Sequence, residues 1–209
     1  MNRVLAALGI FLLLVGGVGV FVSTRTAGDN PLYQETQDCI HTNGETFNAD
    51  SIQCLHDLAA RTVRDASLAS TLQSLAQIQQ EEGTNPLFAL YCHTFTHFLG
   101  REMYKKTNSV PLVYEQCSSA CDGGCWHGAI ESYFEERSVD SVSTSEEVLR
   151  KEVVTVCGRR EDFALATHYV QCVHGIGHAL MFVTNGELYQ SLKFCDALEG
   201  ERIRVQCYH

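Results

Sequence analysis

Two stretches of this chain place histidines four residues apart: "YCHTFTHFLG" from Tyr91 and "CVHGIGHALM" from Cys172. On a helix, positions i and i+4 share a face. His93 and His97 therefore form one pair and His174 and His178 another. A third stretch, "CWHGAIESYF" from Cys125, has the same opening but sets a glutamate where the second histidine would fall, so His127 pairs with Glu131. Imidazoles one turn apart can grip one transition metal from a single helix face, as the histidines of HExxH helices do. The candidate metal set is thus His93, His97, His127, Glu131, His174 and His178. Zn, Cu or Fe is the expected class of cofactor, with Glu131 as a further ligand or as a base toward bound water. A pair of axial imidazoles for a non-covalent haem is a further option; no Cys-x-x-Cys-His occurs for covalent attachment. The competing readings are a structural polar network, in which the histidines bond neighbouring backbone, and metal-free catalytic histidines.

The elements that would position these groups recur. "CLHDLAARTV" opens at Cys54 and "CYH" at Cys207, and the first histidines of the five stretches stand at 56, 93, 127, 174 and 209. A recurrence in the thirties to forties predicts repeated helical hairpins, each burying its apolar face on the next. The fold class is therefore all-α: an α-solenoid-like or compact α/α array of hairpins. Because the sequence stops at His209, just as its last motif opens, the final repeat reads as incomplete. His56 has only Ala60 one turn on. His41 and His168 fall out of phase and read as surface or cap residues.

Helices are expected over about 32–42, 49–65, 68–81, 86–105, 110–118, 124–136, 144–157, 163–184, 187–197 and from 200 onward. Asn48 and Ser51 are candidate N-caps, Ser143 or Ser145 precedes glutamates in a helix-start pattern, and Pro86 and Pro111 suit first turns. Leu68, Leu72, Leu75 and Ile78 recur at helical spacing and belong to the core. "CDGGCWHG" reads as a tight inter-helix turn, with Trp126 in the core.

There are 10 cysteines, all after residue 38. An even count in an exported chain reads as a disulfide framework, with thiolate metal sites as the competing reading. Cys39 with Cys54, Cys117 with Cys125, Cys157 with Cys172 and Cys195 with Cys207 each flank a turn signal, so each bridge would clamp the elbow of a hairpin. Cys92 and Cys121 remain as a fifth pair, although spacing alone does not settle connectivity.

Export is suggested by the uncharged apolar run from Val4 to Val22, long enough as a helix to span a bilayer's hydrocarbon core. It reads as a signal anchor over residues 1–26 or as a cleaved signal peptide, with 27–209 as the extracytoplasmic, disulfide-rich domain. The expectation is a single-pass membrane protein, N-terminus inside, with a secreted protein as the alternative. The net charge of −10 argues against a nucleic-acid partner. No nucleophile elbow or phosphate-binding loop is present. The function expected from these features is extracytoplasmic metal or cofactor binding through a His/Glu cluster. A non-enzymatic disulfide-stapled scaffold for a protein partner, with structural histidines, is the other reading.

Overall fold

The computed structural model describes residues 27–41, 48–82, 85–138 and 146–209. Among these residues the structure is helical throughout, without strands. After a short 3-10 turn come α1 (Pro31–His41), α2 (Ala49–Asp65), α3 (Leu68–Glu82), α4 (Pro86–Thr107) and α5 (Val110–Gln116). Then follow α6 (Gly124–Ser138), α7 (Glu146–Thr155), α8 (Ala166–Val183), α9 (Leu188–Cys195) and α10 (Glu201–Tyr208). The helix starts have local causes. Asn48 Oδ1 accepts from the backbone N–H groups of Asp50 and Ser51 at 3.0 Å each. Asn85 does the same for Leu87 and Phe88 ahead of α4, where Pro86 begins the helix. Ser51 lies inside α2 and is buried rather than capping. The helix start expected at Ser143 or Ser145 lies outside the described residues.

The inner helices pack in file: α2 on α4, α4 on α6, α6 on α8 and α8 on α10. The apolar stripe of α3 is core, with Leu68, Leu72, Leu75 and Ile78 all buried. At the centre, α6 is buried on every side along its first half, from Gly124 to Ile130. This explains its small and apolar residues, since a helix enclosed by neighbours has no polar face to offer water. Two glycines set the distance to α4. A Cβ on Gly128 would overlap the His97 carbonyl, and one on Gly100 would overlap the Cys125 carbonyl. Backbone-to-backbone contact of this kind brings side chains at the interface within reach of one another.

The five disulfides are Cys39–Cys54, Cys92–Cys121, Cys117–Cys125, Cys157–Cys172 and Cys195–Cys207, with Cα–Cα separations of 5.3–5.8 Å. No cysteine is free. Four of the bridges close short loops at hairpin elbows. Cys92–Cys121 instead ties the body of α4 to the turn that launches α6. That turn is left-handed at Cys121 (φ 53°), Asp122 (φ 57°) and Gly123 (φ 75°). Trp126 is buried just beyond it: its Nε1 donates to the Tyr114 carbonyl at 3.2 Å, and Tyr114 Oη donates back to the Trp126 carbonyl at 3.1 Å.

The membrane expectation is corrected by the helices themselves. No helix among the described residues is long and apolar enough to cross a membrane. The longest, α4, has 22 residues but carries Arg101, Glu102, Lys105 and Lys106. In α8, histidines and glutamine interrupt the apolar sequence. The run from Val4 to Val22 lies outside the described residues. Single-pass membrane anchoring, and the membrane as a partner, are therefore set aside.

Candidate metal centre

The file of inner helices brings both histidine pairs against His127. The ring centroids of His93 and His97 on α4 lie 5.7 and 5.4 Å from that of His127 on α6. On the other flank, His174 and His178 on α8 lie 5.2 and 4.2 Å away, and His178 is stacked on His127. Two groups of ligand nitrogens result, His93–His97–His127 and His127–His174–His178, each with its members within 4.8 Å of one another. Both groups can hold a metal ion geometrically, and they share only His127. With the rings in contact, nothing as wide as a porphyrin fits between them, which removes the haem option.

The bonds behind the rings set their tautomers. His93 Nδ1 donates to the Cys121 carbonyl at 2.8 Å, leaving its Nε2 bare. His97 Nδ1 donates to Glu131 Oε2 at 3.1 Å, leaving its Nε2 bare as well. These two Nε2 atoms face each other at 3.0 Å. Two lone pairs at that distance repel unless a proton or a metal cation stands between them. The α8 pair repeats part of the pattern: His174 Nδ1 points at the Gln206 carbonyl at 3.4 Å, and its Nε2 lies 3.3 Å from His178 Nε2. Two imidazole nitrogens at about 2.0–2.1 Å from one ion, subtending about 90–110°, stand about 2.8–3.4 Å apart. Both pairs fall in that range. A ligating histidine whose other N–H is held by a carbonyl or carboxylate is the usual outer-shell arrangement of metal sites.

His127 differs from the others. It is 4% exposed, and its buried Nδ1 has no hydrogen-bond partner. Burial, followed by the proximity of His178, His97, His174 and His93, drives its pKa from 6.5 down to about 2. His178 falls to about 4, through burial and then His174 and His97, with Glu131 opposing. For Glu131, burial acts to raise the pKa, but the hydrogen bond and charge of His97 and the charge of Arg101 outweigh it, so the net shift is downward. These side chains are recessed but reachable: His97 and Glu131 are 16% and 15% exposed.

Glu131 stands behind His97 rather than among the converging nitrogens, and is itself held by Arg101 at 3.6 Å. Arg101 also pairs with Glu135. Sequence reasoning misses Arg101 and the Cys121 and Gln206 carbonyls. Arg101 has a signal, lying one turn beyond His97 on the same face. The carbonyls have none. His56, in phase but unpaired in sequence, sits away from the cluster against Glu102 at 3.3 Å. His41 is exposed and bonds Gln37, as expected of a surface residue. His168 is half-buried beside Trp126 with its Nδ1 buried and unpartnered, so it is neither surface nor cap.

In comparisons with known proteins, no family model, no curated protein and no solved structure matches this chain. Geometry and chemistry alone therefore carry the functional reading.

Proposed function

We propose that this is a metal-binding protein of an oxidising, extracellular compartment, with a histidine centre built between α4, α6 and α8 of a helical-hairpin scaffold. The observation that carries this reading is the shared His127: a buried imidazole with an unpartnered nitrogen, flanked by two Nε2–Nε2 pairs at chelating separation. His93, His97, His127, His174 and His178 are the ligands. Glu131 orients His97 through its hydrogen bond to Nδ1, and Arg101 holds Glu131 in place. All-nitrogen coordination suits Zn²⁺ and Cu²⁺ best, with Fe²⁺ behind. Since all ten cysteines are paired, thiolates do not compete as ligands. The disulfides support the compartment, because reducing cytosol would open them.

Equilibrium dialysis of the untagged, disulfide-oxidised chain against Zn²⁺, Cu²⁺ or Fe²⁺ tests the reading, with His97→Ala and His178→Ala alongside. Ligands lose metal on substitution while the circular dichroism of the fold persists. Histidines with a structural role lose stability on substitution and bind no metal in the parent chain either, and that result would remove the proposal.

A further inference from the structure

Beside the histidine cluster, α8, α9 and α10 enclose a cavity of about 210 Å³. Its apolar wall is formed by Gly177, Met181, Leu188, Leu192 and the Cys195–Cys207 bridge. His178 also lines it, so this residue belongs both to the cavity and to the cluster, where it stacks on His127. A wider cleft of about 450 Å³ between α1, α2 and α3 has no histidine in its wall. Met181, Leu188 and Tyr208 line the smaller cavity and are exposed, so it is open to solvent. Its polar side chains are His178, Ser191, Tyr208 and His209. Ser191 Oγ already donates to the Glu187 carbonyl at 3.1 Å and bonds Thr184 Oγ1 at 2.7 Å. Tyr208 Oη donates to Asp196 Oδ1. The two imidazoles are left to meet a polar atom of a ligand. Among the described residues, no Lys, Arg, Asp or Glu lines the cavity, so a carboxylate or an ammonium would find no counter-charge in its wall.

We propose that this cavity binds a small uncharged molecule made of one aromatic ring and one hydroxyl, a phenol. A cavity of about 150 Å³ lined by Leu, Ile and Phe holds benzene. The space here therefore suits one ring with a small substituent and leaves no room for a peptide backbone. The ring packs on Leu188, Leu192 and Met181, whose thioether makes favourable contacts with aromatic rings. The hydroxyl meets the imidazole of His178 or His209, which can accept its hydrogen bond. A mostly apolar pocket with a few placed polar groups is the usual form of a small-molecule site. Through His178 the proposal deepens the metal-binding reading, because it names the class of molecule that sits beside the centre. The pocket itself needs no ion, so the two readings can fail separately.

The test is titration of the full oxidised chain with phenol in the presence of chelator, read by NMR of carbon-labelled methionine methyls. The chain has 3 methionines: Met181 in the cavity wall, Met103 in the core and Met1. The expected result is a saturable ring-current shift of the Met181 methyl, with Met103 and Met1 unmoved. Leu192→Trp fills the cavity and should abolish the shift, with circular dichroism and a thiol count as controls of folding; Leu188→Trp serves as a second filling variant. Benzoate and benzylamine should bind at least about tenfold more weakly, since their charges would be buried without a partner. N-acetyltyrosinamide should not shift Met181. A Met181 methyl that stays in place, or that moves without saturation, overturns the proposal. Benzoate binding as tightly as phenol overturns the uncharged class. An equal shift with N-acetyltyrosinamide makes the occupant a tyrosine side chain of a protein and overturns the small-molecule site. Repeating the titration with Zn²⁺ separates the two readings. Zinc uptake that changes phenol affinity supports the link through His178, and zinc uptake that leaves it unchanged overturns that link. No zinc uptake with Met181 still shifting overturns the metal-binding reading and upholds the phenol site. The wild-type titration decides the matter even where a variant fails to fold.

Discussion

His127 has no hydrogen-bond partner at Nδ1 to support a charge, and four other imidazoles surround it. This ties stability to pH at the scale of single residues. The folded pKa values of His127 and His178, about 2 and about 4, lie below the ordinary 6.5. The unfolded chain therefore binds more protons in this range, and the metal-free fold is at full strength above about pH 6.5. Stability falls as pH drops from 6.5 through about 4, and further toward about 2. Glu131, with a lowered pKa, adds to the loss at the acid end. Urea midpoints measured in chelator should hold level from pH 7.5 to about 6.5 and decline from there to pH 4.5; a flat profile throughout would contradict the buried neutral cluster. Glu131→Gln keeps a hydrogen-bond acceptor for His97 but removes the charge. It should weaken metal affinity by about 10–100-fold, as loss of outer-shell partners does, without changing stoichiometry. Loss of an ion would instead make Glu131 a direct ligand. The residue pairs themselves are legible in the sequence, because i, i+4 spacing on a helix needs no tertiary knowledge. What stands behind each ring is not. The Cys121 carbonyl reaches His93 only because the turn there adopts left-handed geometry, and the isolation of His127 Nδ1 depends on how two neighbouring helices enclose it.

At the scale of elements, the close approach of α4 and α6 is what turns a periodic pattern into a site. Gly128→Ala would force a methyl into the His97 carbonyl, and with backbone on the far side the clash cannot be relieved by a rotamer. A cost of about 1–3 kcal/mol is expected from overpacking, together with weaker metal binding as His127 moves away from His97. An unchanged melting temperature would show that the helices are not so tightly apposed. The disulfides divide by position. Replacing Cys39 and Cys54 by alanine opens a loop of separation 15 between α1 and α2, neither of which carries a histidine of the centre. It should cost about 3 kcal/mol in stability and leave metal affinity unchanged. Replacing Cys92 and Cys121 releases the turn whose carbonyl orients His93, so affinity should fall along with stability. Dialysis and thermal melts of the two double variants separate these outcomes. Cysteine spacing and turn signals make the pairing readable from sequence. The helix boundaries are also readable to within a few residues, since caps, prolines and apolar stripes are local signals. His168 escapes such a reading because its neighbour, Trp126, comes from a different hairpin.

For the molecule as a whole, file packing of hairpins means that each inner helix is supported by its neighbours, and the centre spans three of them. A ligand that bridges α4, α6 and α8 stabilises only the assembled state. With free ion at about 100 times its dissociation constant, the folded chain gains about 2.7 kcal/mol. For a chain of this size that raises the melting temperature by about 5–10 °C. The gain should vanish in acid, where protons compete for the same nitrogens.

The most direct test of the central claim is elemental analysis of the untagged, disulfide-oxidised chain after exposure to Zn²⁺ or Cu²⁺ and desalting, with a free-thiol count on the same sample. The account predicts retained transition metal in whole-number proportion to chain, almost no free thiols, and loss of that metal in His127→Ala. Metal-free protein with intact disulfides, at ion concentrations well above micromolar, would contradict it and leave the five histidines as a polar network inside a stapled helical scaffold.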